Sequence, residues 1–276
     1  DDWSSLNNTP TTLEGYGITD ATLANVLAQG NSANSQIIKD LAEPVDAQDA
    51  ATKAYVDALE TNVNTLETTI NTLLARIEAL EIVNNGFTDA RDGNHYNAVK
   101  IGDQIWMAEN LKYLPSVNGS GQSSEAPYYY VYNYTSDNLD EAKARDEYKT
   151  YGVLYNWTAA QDACPTGWHL PSDAEWTQLE EYLGENAGGK LKEAGYDHWQ
   201  SPNAGANNES GFTALPGGNR GNYGYFDLIG NDGNWWSATE SSTDYAWYRL
   251  LIYDISSVLR NYYGKELGFS VRCVRD

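Results

Sequence analysis

The stretch VDALETNVNTLETTINTLLARIEAL, residues 56–80, carries the clearest periodicity in the chain. Val56, Val63, Ile70 and Ile77 recur every seven residues, and Leu59, Leu66, Leu73 and Leu80 recur every seven between them. Apolar residues spaced alternately three and four apart make a narrow stripe on a helix. Helices so patterned cover one another's stripes in a left-handed supercoil. A helix lying on a globular core needs a broader apolar face than two positions in seven. The expectation is a parallel coiled-coil stalk. Its outer positions hold Asn, Thr and Glu, and Thr and Asn are mediocre helix formers, so self-association is expected to stabilise it. β-branched a positions with Leu at d lean towards a dimer, whereas Leu74 at an e position widens the apolar face and leans the other way. Arg76 and Glu81 fall at g and e, where they can pair between chains.

Working outward, Asp46 after Pro44 is placed to cap the helix, with Asp49 in its first turn. Asn84, Asn85 and Gly86 end it. The chain thus divides into an N-terminal module (1–45), a stalk (46–85) and a globular head (86–276). Composition agrees: only Trp3, Tyr16 and Tyr55 are aromatic before residue 85, whereas the remainder of the 21 Tyr, 9 Trp and 4 Phe lie beyond it. Only the second part can build an aromatic core. Tyr and Trp give large contact area at low entropic cost, as binding surfaces require.

The head is rich in Gly, Asn, Ser and Tyr and contains many short strand-like runs. PSDAEWTQLEEYLG, residues 171–184, predicts a helix. Ser172 and Glu175 form a capping box, Trp176, Leu179 and Leu183 form the apolar face, and Gly184 is the C-cap. A second short helix is predicted over Val153 to Gln161, with Tyr155 and Trp157 placed for packing. The fold class is α+β with much irregular loop.

With 17 basic and 39 acidic residues, the net charge of −22 argues against nucleic acid or an anionic membrane as ligand. No run approaches the length of a membrane span. The single methionine lies inside the chain, so Asp1 is expected to be a processed or truncated start. Cys164 and Cys273 suit one disulfide in an extracellular head, the alternative being two buried free thiols. His95, His169 and His198 are scattered and no CxxC occurs, so no metal site is expected.

NNTPTTLEGYGITDATL (7–23) and QIIKDLAEPVDAQDAATKAYVDAL (36–59) resemble modules of bacteriophage tail fibres, which implies a homotrimer. FTDARDGNHYNAVKIGDQIWMAENLKY (87–113), YGVLYNWTAAQDACPTGWHLPSDAEWTQLEEYLG (151–184), GFTALPGGNRG (211–221), WWSATE (235–240) and GFSVRCVRD (268–276) resemble the Fibrobacter succinogenes major paralogous domain. That resemblance implies a C-type-lectin-like head, in the branch that holds formylglycine-generating enzymes. A small twisted antiparallel core, two helices, neighbouring termini and a Cys164–Cys273 bridge to the last strand would follow.

AWYRLLIYDISSVLRNYYGKELGFSVRCVRD (246–276) further resembles the variable C-terminus of lectin-fold proteins diversified by retroelements. By that resemblance Trp247, Arg249, Val258, Arg260, Lys265 and 268–276 are scaffold. Tyr248, Leu250, Ile252, Asp254, Ile255, Ser257, Leu259, Asn261, Tyr262, Tyr263 and Gly264 would vary and bind ligand. All eleven are encodable from AAY codons by changing adenines alone, and Glu266 is not. Apolar Leu250, Ile252, Ile255 and Leu259 among tyrosines would make an interaction patch if exposed on one face. Ordinary strand core is the alternative reading. Alternation sets Leu250, Ile252 and Asp254 against Leu251, Tyr253 and Ile255, one set facing inward.

The expected function is the receptor-binding or adhesion tip of a phage tail fibre or phage-like particle, extracellular, binding a cell-surface protein or glycan. Partners would be its own copies, a host receptor and, through the N-terminus, other tail or baseplate proteins; neither nucleic acid nor membrane insertion is expected. Multivalent heads would supply avidity. Trp235 and Trp236 are a candidate sugar-stacking pair, or core. No cofactor is implied. Calcium at Asn231 and Asp232 would have two donors where 6–8 are usual. Catalysis is not expected, since formylglycine-type chemistry needs reactive cysteines or copper and both cysteines look structural. A purely structural fibre or bacterial surface protein is the rival reading.

Overall fold

The structure is a computed structural model that describes residues 53–276. The 1–45 module and the expected caps at Asp46 and Asp49 lie outside the described residues. The described chain is mixed helix and sheet, as the α+β reading expects.

Helix α1 spans Lys53–Asn85. All eight residues of its heptad stripe are exposed on the single chain, between 40% and 63%. Thr61, Thr65, Thr68, Thr69 and Thr72 each donate a hydroxyl to the carbonyl four residues back. That satisfies the hydroxyls without a partner but adds little helix stability. The helix stops where the Gly86 N–H donates to Ile82 O (2.8 Å) with φ at +67°, and a Cβ there would meet Tyr96 O at 2.3 Å. Glycine alone fits this exit.

Leu73–Asp276 forms one compact unit. Within it, Ile82 and Phe87 pack on the core, and Glu78 pairs with Arg275 at 3.1 Å. Strands β1 (Phe87–Thr88) and β2 (His95–Tyr96) form a ribbon. Next come β3 (Ala98–Ile101), β4 (Gln104–Met107), β5 (Tyr129–Tyr130), α2 (Leu139–Ala144), α3 (Asp146–Tyr151), β6 (Leu154–Tyr155), α4 (Trp157–Gln161) and β7 (Trp168–His169). Helices α5 (Asp173–Leu183) and α6 (Ala187–Leu191) precede β8 (Gly217–Arg220), β9 (Phe226–Ile229), β10 (Asp232–Glu240), β11 (Tyr245–Ile252), β12 (Leu259–Gly264), β13 (Phe269–Ser270) and β14 (Val274–Arg275).

The larger sheet runs β12-β11-β10-β13-β6-β5, with the β8–β9 hairpin attached to β10; a smaller sheet runs β3-β4-β14-β7. Phe87 stacks on Trp168 at 4.4 Å, and Arg275 pairs with Trp168 in the sheet, so the start and end of the head are neighbours. Cys164 and Cys273 are joined, with Cα atoms 5.9 Å apart. Cys273 sits one residue before β14 rather than in a strand.

Helix α5 follows its sequence closely: the Ser172–Glu175 capping box is complete, and Trp176, Leu179 and Leu183 are buried. The predicted helix over Val153 to Gln161 is shorter. Leu154–Tyr155 is a strand, and Asn156 caps the helix by accepting from Ala159 N–H. Tyr155 pairs with Phe269 and Tyr129, so sheet hydrogen bonds claim the residues ahead of the cap. More short helices are present than the two expected.

Buried aromatics pack on both faces of the β10–β11 pair. Trp236, Tyr248 and Phe269 belong to one buried cluster, whereas Trp106, Trp176, Trp199, Phe212, Trp235 and Leu251 belong to the other. Adjacent residues in a strand point to opposite faces, so Trp235 and Trp236 anchor one cluster each. Among the described residues no helix is long and apolar enough to cross a membrane.

Candidate functional site

The C-terminal stretch singled out in the sequence forms β11, a connecting loop and β12. The strands pair in register, with Leu250 opposite Leu259, Tyr248 opposite Asn261 and Trp247 opposite Tyr262. On the other side Asp232, Asn234 and Trp236 of β10 lie opposite Ile252, Leu250 and Tyr248. Alternation therefore puts Tyr248, Leu250, Ile252, Leu259, Asn261 and Tyr263 on one face, shared with Asp232 and Asn234.

Over that face the β8–β9 hairpin raises a wall. A groove of about 340 Å³ results, floored by Asp232, Asn234, Tyr248 and Leu250 and walled by Tyr223, Tyr225 and Tyr263. This is within the size range of small-ligand sites. Gly218 lets the hairpin close: its φ is +66°, and a Cβ would meet Asp227 O at 2.3 Å. Leu228, at the rim, is 45% exposed and also holds a positive φ of +66°. For a branched residue that backbone region is strained.

The electrostatics of the groove are acidic. Burial, reinforced by the neighbouring charge of Asp254, pushes the Asp232 carboxyl up to about 6. Burial, together with Tyr263 and Asp232, pushes the Tyr248 hydroxyl up to about 12. Lys192 lies below the loop that follows β11, donating to Ile252 O (3.0 Å) and Ile255 O (2.9 Å); burial lowers its amine to about 8 against the pull of Asp254.

The eleven candidate residues do not form one exposed face. Tyr248 is only 5% exposed, because its ring packs on Trp236 and Phe269, and it lines the groove from the floor. Gly264 is buried at the end of β12 against the Glu266 side chain. Tyr262 points to the opposite face, edge-on to Tyr245 (5.9 Å) and Trp247 (5.3 Å). Asp254, Ile255 and Ser257 lie in the loop after Ile252, where strand alternation has ended, so the Asp254 and Ile255 assignments to opposite faces do not apply. Of the two alternating sets, Leu251 is the buried member, while Leu250 and Ile252 are half-buried on the groove side. The Trp235–Trp236 pair is core, at 1% and 0% exposure, and is not available for stacking a sugar.

The residues interleaved with the candidates hold the sheet. The buried Arg249 guanidinium donates to Asp173 (2.7 Å) and to Glu180 of α5, and Arg260 donates to Asp173 (2.9 Å) while lying 3.3 Å over the Trp247 ring. Lys265 pairs with Glu240 at 2.6 Å over Trp157, and Val258 packs on the second cluster. Sequence reasoning missed the hairpin wall. The run GNYGYFDL at 221–228, two exposed tyrosines on either side of Gly224, is the signal that points to it.

Residues 99–275 match the family model described as the Fibrobacter succinogenes major domain. No curated protein and no solved structure gives a significant match to the chain.

Proposed function

The chain belongs to the Fibrobacter succinogenes major domain family, and from that premise we propose that it is a non-catalytic adhesion protein whose β10–β12 groove face meets a cell-surface protein or glycan. The observation that carries this reading is the groove: open, aromatic-walled, and built on a sheet whose intervening residues are clamped from behind. Such a frame tolerates change at Leu250, Ile252, Leu259, Asn261 and Tyr263 while Arg249, Arg260 and Lys265 keep the backbone in place. Retroelement diversification of those sites fits this division of labour. The head is read as C-type-lectin-like on its neighbouring termini and its bridge from Cys164 to the terminal segment.

The exposed stripe on α1 is read as the seam of a parallel homotrimer, with a dimer as runner-up. The arrangement would present several heads at the tip of a phage-type fibre or cell-surface fibre. A disulfide-bonded head fits an extracellular setting. Beads coated with the full chain should attach to target cells. Tyr263→Ala together with Leu250→Asp should reduce attachment by about ten-fold or more, whereas Tyr182→Ala, on an exposed face of α5, should not. Equal attachment by all three proteins would sink the assignment of this face. The gene's 3′ end, compared among sister strains, should vary at the groove codons and not at those of Arg249 or Arg260.

A further inference from the structure

The floor of the groove carries two acceptors that no donor among the described residues reaches, the Asp232 carboxylate and the Asn234 amide oxygen, beside the Tyr248 hydroxyl. The Asp232 carboxylate, half-buried, takes part in no hydrogen bond or ion pair among the described residues. Beside it Asn234 is only 4% exposed; its Nδ2 donates to Gly218 O at 3.2 Å, which leaves its amide oxygen without a partner on the groove side. No lysine or arginine lines the cavity. Arg220, the nearest in sequence, is fully buried and does not line the cavity; its Nη2 donates to Ser120 O and Gly121 O and its guanidinium lies 4.1 Å over the Tyr130 ring. Asp254 adds a like charge, compensated in part by Lys192; Asp232 has no such neighbour. Tyr223, Tyr225 and Tyr263 line the same cavity and are all exposed.

We propose that this groove seats the guanidinium of an arginine on a partner polypeptide. The planar cation brings five donors to the Asp232 and Asn234 acceptors, and tyrosine rings attract a cation lying over them. It would also offset the two neighbouring negative charges, which a neutral sugar hydroxyl, though able to donate a hydrogen bond to the carboxylate, would not. The inference rests on the reading that this face is the contact surface, and names the chemistry it takes.

Saturation-transfer NMR on the full chain tests it with three probes: acetyl-Gly-Arg-Gly-amide, the same peptide with citrulline for arginine, and methyl α-D-galactopyranoside. Citrulline keeps the shape and removes the charge. The expected result is transfer to the arginine peptide, about ten-fold weaker or less to citrulline, and loss of the arginine signal in Asp232→Asn. Tyr223→Ala, at a side chain 81% exposed and free of packing duties, should weaken the signal without changing the melting temperature. The groups facing Asp232 are Asp254 after β11, Asp227 on β9, Tyr248 on β11 and Tyr263 on β12, with Lys192 behind Asp254. Asp232 gains its proton as pH falls through about 6, so the arginine signal should fade between about pH 7.5 and about pH 5. Equal signals from arginine and citrulline, a stronger one from the galactoside, no signal at all, or a signal untouched by Asp232→Asn would each overturn the inference. None of these bears on cell attachment, which is measured separately.

Discussion

Arg249 holds a guanidinium with 1% of its side chain exposed, between Asp173 and Glu180 of α5. Removing one partner of such a cluster leaves buried charge uncompensated. Arg249→Met should lower unfolding free energy by about 3–5 kcal/mol in denaturant titration. A change below about 1 kcal/mol would mean that α5 is held to the sheet by packing alone. His169 makes stability depend on pH. Burial works against its charge, but hydrogen bonds to Asp276 (2.6 Å) and Glu175 (2.7 Å) outweigh it, so its pKa is raised. A raised folded pKa gives stability that is fully present below the unfolded value of about 6.5 and is lost as pH rises through the folded value. Thermal melts of the wild type should therefore decline across that window, while His169→Gln should show a flatter profile. Asp173, next to Arg249 and Arg260, is lowered despite burial, and its contribution is lost in acid instead.

Among the elements, α1 and the β8–β9 hairpin carry the sharpest tests. Ile70 lies in the middle of the exposed stripe. In a homotrimer, light scattering should give three times the 30.5 kDa chain mass, and Ile70→Asp should return one chain mass, because a charge in the seam is desolvated. A wild-type mass of one chain at micromolar concentration would remove the coiled-coil reading. In the hairpin, Gly218→Ala must relieve a 2.3 Å approach to Asp227 O at a positive φ. It should destabilise the head by about 1–2 kcal/mol or more and displace the groove wall. The same two elements show what local pattern conveys. The α5 capping box, its apolar face and the Gly86 stop were legible, because caps and heptads are set by neighbours in sequence. The stretch Val153 to Gln161 was not, because Leu154 and Tyr155 answer to Phe269 and Ser270, more than a hundred residues away.

For the whole molecule, the Cys164–Cys273 bridge closes a separation of 109 residues near the chain's end. Cross-linking a long loop restricts the unfolded chain, so reduction should cost about 2–4 kcal/mol. Denaturation midpoints with and without reductant measure it, and unchanged midpoints would show that the aromatic clusters suffice. The family match spans 99–275, so the seam of α1, the 1–45 module and the ribbon of β1 and β2 up to Ala98 fall outside it. The family scaffold and the heptad-patterned helix α1 are thus separate parts of the sequence.

Resemblance, more than pattern, picked out the C-terminal strands as the region of interest, whereas periodicity was enough to place α1 and to place α5 with both its caps. Those features depend on residues within a few positions of one another. The sequence could not say which side of β11 was open, because Leu250 and Ile252 on one face and Leu251 on the other are all apolar enough for core. Long-range packing settled that question. The hairpin 217–229 stands over Tyr248, Leu250 and Tyr263, turning half of a buried strand into the floor of a groove, while Tyr262 and Gly264 are carried elsewhere.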